Sequence, residues 1–214
     1  MYIVAKGRGV EGYSEIGLPD NQDEIKAGPP DADGIAALLA GGSRPPGGSD
    51  DPPYCGEIDI RIARDGTWFY RGSPIARERL VRLFSTALRR EDDGRHYLVT
   101  PVEKIGIAVD DAPFVAVEMT AEGSGRDQSL TFRTNVGDRV TADSGHPIRV
   151  ETNPETGEPA PYVLVRDSLE ALIARPVFYE MVDLGVEEEI GGVRVFGVWS
   201  GGRFFPLGRL DEGA

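Results

Sequence analysis

Beyond Pro101, short apolar runs are cut at close intervals by turn-forming clusters: EKIGIAV then DDAP, FVAVEMTA then GSGRDQ, SLTFRTN, and DRVTA. Runs this short make poor helices, but as strands each supplies one face to a sheet. HPIRVETNPETGEPAPYVLVR continues the pattern as a long hairpin whose tip, NPETGEP, is dense in turn formers. The chain is thereby directed to a β-rich fold, and the 28 glycines and 16 prolines among its 214 residues supply the turns.

The same pattern begins earlier, at YCGEIDIRIARDGTWFYRG. Ile58, Ile60 and Ile62 alternate with Asp59 and Arg61, the period-two signature of a half-buried strand. Asp65-Gly66 predicts a two-residue hairpin turn, with Thr67 to Arg71 returning as an aromatic strand. Ser73 and Pro74 are expected to open an amphipathic helix carrying Leu80, Leu83, Phe84, Ala87 and Leu88 to about Arg90. A strand, His96 to Thr100, follows. A second helix is expected from Asp167, capped with Glu170, kinked or restarted at Pro176 and ended by Gly185. The last hairpin turns at Gly201-Gly202.

One small unit occurs twice, as DGTWFYRG at 65–72 and as GGRFFPLG at 201–208. The echo suggests a repeated strand and helix theme, from duplication or from convergence on a common hairpin. Residues 1–53 read as a tail and linker with one short helix over Ile35 to Ala40, flanked by Pro and Gly. The expected organisation is α+β: this tail, an N-terminal domain over 54–98 and a β-rich domain with a kinked helix over 99–214.

A net charge of −13 opposes nucleic-acid backbone and anionic membrane as partners. No stretch approaches the roughly 20 apolar residues of a membrane span, and a single cysteine allows no internal disulfide, so a cytoplasmic location is expected. Gly7-Arg8-Gly9-Val10-Glu11-Gly12 is a literal GxGxxG, but Gly17 and Pro19 interrupt the helix that a dinucleotide site requires.

No nucleophile elbow or metal-ligand spacing surrounds Cys55, His96 or His146, so no catalytic residue, metal or cofactor is assigned. Cys55 reads as a small buried hydrophobe, His96 as a strand-edge residue and His146 as a turn residue. Asp110-Asp111 reads as a turn and Glu187-Glu188-Glu189 as a solvated loop. The segment 71–96 holds seven arginines against four acids, net +3. Such a run serves either as the solvated face of a helix or as an anion site. The candidate ligand-binding positions are Arg61, Arg71, Lys104, Arg133, Asn135, Trp199 and Arg203, with Trp68, Phe69, Tyr70, Phe204 and Phe205 as core or stacking aromatics.

CGEIDIRIARDGTWFYRGSPI, LVRLFSTALRR, YLVTPVEKIGI, DAPFVAVEM, LTFRTNVGD, NPETGEPAPYV, LEALIARPVFYE and GVWSGGRFFPLG together resemble the bacterial domain-of-unknown-function family numbered 1285. The likeness runs from about Ile35 to Gly208. It implies a two-part β and α protein with repeated units, whose second part resembles a pleckstrin-homology barrel, and a small, nucleotide-like ligand between the parts in signalling. It implies no catalytic residues.

The leading expectation is a non-enzymatic, ligand-binding or regulatory protein that holds a small anionic ligand between its two parts. The alternatives are a hydrolase using carboxylates or Cys55, and a protein-interaction module with a peptide on a sheet edge.

Overall fold

The computed structural model describes residues 52–209 together with Gly34, Ala36 and Ala37. The GxGxxG stretch and most of the expected tail lie outside the described residues. Gly34, Ala36 and Ala37 are helical, and Ala36 packs against the core.

The first sheet contains β1 (Tyr54–Ile62), β2 (Trp68–Tyr70), β3 (Ser73–Pro74), β4 (Leu88–Arg90), β5 (His96–Val99) and β6 (Lys104–Val109). Its spatial order is β3-β2-β1-β6-β5-β4, with β1 and β6 parallel and every other pair antiparallel. The second contains β7 (Phe114–Glu122), β8 (Ser129–Thr134), β9 (Arg139–Thr141), β10 (Ile148–Thr152), β11 (Pro159–Arg166) and β12 (Leu169–Ile173). Its order is β9-β8-β7-β12-β11-β10, with β7 and β12 the parallel pair. Strand for strand, the two sheets have the same topology.

The fold therefore does repeat, but the GGRFFPLG echo is not the repeat. DGTWFYRG belongs to the β1–β2 hairpin, whereas GGRFFPLG lies on the hairpin of β14 (Val193–Ser200) and β15 (Arg203–Arg209). With β13 (Val186–Ile190), these form a separate three-stranded sheet. The matched aromatics even face opposite ways: Trp68 is buried and Phe69 half-buried, whereas Phe204 is half-buried and Phe205 buried.

Local chemistry explains where the elements depart from expectation. The two-residue turn is not at Asp65-Gly66 but at Arg71-Gly72, where both φ angles are positive (48° and 75°) and Tyr70 pairs with Ser73. Ser73 and Pro74 are thus strand residues, and helix α1 (Glu78–Ala87) starts later without a side-chain cap. Leu88 to Arg90 leaves the helix as β4, which pairs with β5. Asp167 takes φ 46° in the tight turn between β11 and β12, so no helix starts there. Pro176 instead sits in the first turn of α2 (Arg175–Asp183), where a missing N–H costs nothing. The three glutamates 187–189 lie on strand β13, not in a loop, and Cys55 is exposed rather than buried.

The division read at 98/99 would cut the first sheet, because β6 pairs with both β1 and β5. Only residues 110–113 separate β6 from β7. One cluster of buried side chains spans the molecule, from Ile58, Ile60, Ile62, Trp68 and Phe84 through Phe114, Leu130 and Phe132 to Val198 and Phe205. Helix α1 enters it through Phe84, whose ring lies 6.1 Å from that of Trp68, and α2 through Val177 and Met181. In the first unit the helix lies between the third and fourth strands. In the second it follows the sixth and leads into the three-stranded sheet.

The Arg64-Asp65-Gly66 loop joins the two units. Asn135 accepts from Val115 N (3.0 Å) through its side-chain oxygen and donates to the Gly66 carbonyl (3.2 Å). Gly66 has φ 82°, and a Cβ there would meet Asn135 Nδ2 at 2.5 Å. Gly56, at φ 98°, has open space around the same position. Gly66→Ala is therefore expected to destabilise by about 2–3 kcal/mol, against about 1 kcal/mol for Gly56→Ala. Urea denaturation midpoints check this, with Asn135→Ala expected to recover part of the Gly66→Ala loss.

Candidate functional site

A cleft opens where the two units meet. Three contiguous hollows of about 310, 390 and 420 Å³ run along the β10–β11 hairpin, within the size range of small-molecule sites. The first is bounded by Arg90, Gly94 and His96 of the first unit, the Asp111 to Pro113 connection, and Arg149, Glu151, Tyr162, Ser168 and Glu170 of the second. The middle hollow shares Asp111, Glu151 and Tyr162 with it, and shares Arg64, Asn153 and Ala160 with the third. The third adds an apolar wall of Pro159, Pro161, Leu172, Phe178 and Tyr179 beside Arg175.

Strand register sets the polar wall. Arg149 and Tyr162 are direct partners on β10 and β11, and Tyr162 faces Leu172 on β12. The Arg149 guanidinium lies 4.2 Å from the Tyr162 ring centroid and forks onto Glu170 through Nε (2.5 Å) and Nη2 (2.6 Å). Its Nη1 also pairs with Glu151. Tyr162 donates to Asp111 Oδ1 at 2.8 Å, and Arg64 Nε meets Asp111 Oδ2 at 3.0 Å. The result is a continuous chain, Arg64–Asp111–Tyr162–Arg149–Glu170, crossing from one unit to the other.

Two members of the network, Arg149 and Tyr162, are held more firmly in their protonated forms. Glu170 beside Arg149 raises the guanidinium's already high pKa further. Burial, then the hydrogen bond to Asp111, pushes the Tyr162 phenol up to about 12, so it stays a donor at neutral pH. His96 is the opposite case: burial, then the Arg90 charge, lowers its imidazole to about 4. Its Nε2 is buried without a hydrogen-bond partner among the described residues. His96 is the first residue of β5, at the strand's end as expected, and that strand has β4 and β6 on either side.

The seven sequence candidates do not come together in this cleft. Arg61 lines a separate hollow on the first sheet, pairs with Asp110 at 2.5 Å and lies over Phe69. Arg71 serves the β2–β3 turn and stacks on Tyr70. Lys104 binds Glu91 at 2.9 Å, and Arg133 binds Glu118 at 2.5 Å. Asn135 is the fastener between the units. Trp199 donates to Glu188 at 3.0 Å beside Phe204, and Arg203 is exposed on β15. The cleft residues were missed because each looks ordinary in one dimension: Arg90 and His96 flank a turn, and Arg149 and Glu170 are 21 residues apart. Asp111 in the short DDAP connection was the available signal.

Among the described residues no cluster of His, Cys, Asp and Glu suits a metal ion, and no helix is long and apolar enough to cross a membrane.

Two topologically equivalent units with a polar cleft at their junction define a two-domain α+β protein. The chain belongs to the DUF1285 family of proteins of unknown function. The family's N-terminal domain model matches residues 45–112 and its C-terminal domain model residues 113–207, so the boundary falls in the connection between the two sheets. A crystal structure of a DUF1285 family protein from Silicibacter pomeroyi DSS-3 is similar, with 54% identity and a TM-score of 0.74 over 86% of this chain and 98% of that one. A DUF1285 family protein from Shewanella baltica OS155 is 24% identical, with a TM-score of 0.46 over 58% of this chain and 90% of that one. No curated protein matches.

The state of His96 has a consequence for stability. Its folded pKa lies below the ordinary 6.5, so its contribution is fully present above pH 6.5 and is lost as pH falls toward about 4. Allowing for solvent screening of this partly exposed ring, wild-type protein is expected to lose on the order of 1–2 kcal/mol more than His96→Gln over that window. Denaturation midpoints measured across it check the sign, and equal losses would refute it.

Proposed function

We propose that this protein is a non-enzymatic, small-molecule-binding protein whose ligand occupies the cleft between the two units. The observation that carries this reading is the Arg64–Asp111–Tyr162–Arg149–Glu170 chain. It presents donors and acceptors to a hollow of suitable size, with its side chains already held in place.

Binding fits this wall better than acid/base chemistry. Asp111, Glu151 and Glu170 each face a guanidinium, and the Tyr162 phenol is held protonated. Cys55, exposed and with its thiol on the Pro53 carbonyl, lines none of the three hollows. The apolar wall at Phe178 and Tyr179 suits a ligand with a flat or apolar portion beside its polar one. A regulatory role in signalling follows in this reading from the cleft's place astride the junction, since a ligand there touches both units. The pleckstrin-homology likeness of the second unit belongs to the same proposal.

Native mass spectrometry of the full chain is expected to show a retained small molecule, and a metabolite panel to raise the melting temperature. Arg149→Met, which removes the fork onto Glu170 and the contact with Tyr162, is expected to weaken binding about tenfold or more. Ligands that shift wild type and Arg149→Met equally would place the site elsewhere and overturn the reading.

A further inference from the structure

We propose that Arg90 and His96 form an oxyanion site within the cleft, taking the phosphate or carboxylate group of the bound molecule. This rests on the cleft being the ligand site. The two residues are direct cross-strand partners on β4 and β5, so their side chains leave the same face with Cβ atoms about 5 Å apart. Both line the hollow of about 310 Å³.

What distinguishes them is that the rest of that hollow is charge-matched. Arg149 is matched by Glu170 and Glu151, and Asp111 by Arg64 with the Tyr162 hydroxyl. Arg90 makes one long hydrogen bond, from Nε to the Gly94 carbonyl at 3.4 Å, and no ion pair among the described residues. His96 Nε2 is buried without a partner. Unmatched positive charge and unmatched hydrogen-bonding capacity therefore coincide at one cross-strand pair. A phosphate or carboxylate group answers both, accepting from the guanidinium fork and from an imidazole N–H.

The pair also makes binding proton-linked. The charged and titratable groups around His96 are Arg90 on β4, Asp111 in the connection, Arg149 and Glu151 on β10, Tyr162 on β11 and Glu170 on β12. The acids among them already face guanidinium groups, so the nearest uncompensated charge is that of Arg90. Burial and that charge favour the neutral form of His96. An anion placed between them reverses the local field and favours the imidazolium. Binding then takes up a proton at His96, and affinity rises as pH falls.

The chain has only two histidines, His96 and His146, so both can be followed by NMR in the intact protein. Sulfate, whose charge is constant over the range, stands in for a phosphate group, and formate for a carboxylate. Either is expected to move the His96 titration midpoint upward by about one pH unit or more while leaving His146 in place. Sulfate affinity is expected to strengthen by up to about tenfold per pH unit on acidification, and Arg90→Gln to abolish both effects. A response to sulfate alone assigns a phosphate-type group, and to formate alone a carboxylate. A His96 midpoint unmoved by saturating sulfate and formate, or moved equally in Arg90→Gln, overturns the pair. A small molecule retained in the cleft with affinity unchanged by both Arg90→Gln and His96→Asn overturns the pair while leaving the cleft reading in place. Sulfate linkage without any cleft ligand does the reverse.

Discussion

Four residues, 110–113, connect the last strand of the first sheet to the first strand of the second. A connection this short holds the strand ends within about 17 Å even when fully extended, so the sheets must pack where they meet. They share one hydrophobic core, and they close on a fixed point where Asn135 binds both Val115 and the Gly66 carbonyl. Two acids in the connection meet the first sheet through Arg61 and Arg64, and one of them meets the second sheet through Tyr162. Arg166 adds a further tie, with Nη2 on the Ser85 carbonyl at 2.6 Å and its guanidinium over the Phe114 ring. The cleft is what remains between two sheets drawn together at one corner.

The repetition of β1–β6 by β7–β12 shows that the topology does not depend on one set of helix contacts. Each unit forms two antiparallel three-strand meanders and joins them through a single parallel pair. The helix occupies different places in the two units, so burial of each sheet's apolar face is achieved by different neighbours. In the second unit α2 leads to the three-stranded sheet, which docks through buried Ser200: its hydroxyl accepts from Leu130 N and donates to the Ala142 carbonyl. A buried hydroxyl with both roles filled adds about 1 kcal/mol per bond and sets the register of the docking.

The cleft wall is a connected chain of charge-assisted hydrogen bonds and one cation–π contact rather than a set of independent ion pairs. Exposed pairs contribute at most about 1 kcal/mol each, and several on this surface belong to that class. The Arg149 fork differs because both Glu170 oxygens are engaged and the guanidinium rests on an aromatic face. Its value lies in holding donors at fixed positions before a ligand arrives.

Strand periodicity, turn chemistry and the family resemblance were legible in the linear text because they are local. Ile58, Ile60 and Ile62 alternate whatever surrounds them, Pro176 sits in the first turn of a helix, and Gly201-Gly202 turns a hairpin. Three local readings failed where tertiary pairing competed: Ser73-Pro74 went to a strand because the Arg71-Gly72 turn returned it to β2, Asp167 went to a turn because β12 pairs with β7, and the glutamates 187–189 went to a strand because they pair with β14. The seven candidate site residues were selected by type and charge, which identify what a side chain can do but not which face it occupies. By itself, the sequence determined an α+β chain of short strands with helices between them, and its family. Tertiary structure alone decided that β6 closes the first sheet, that the real repeat is a topology rather than a motif, and that Arg90 and His96 face Arg149 and Tyr162. Those outcomes depend on strand register and sheet packing between residues far apart in the chain, and no local spacing encodes them.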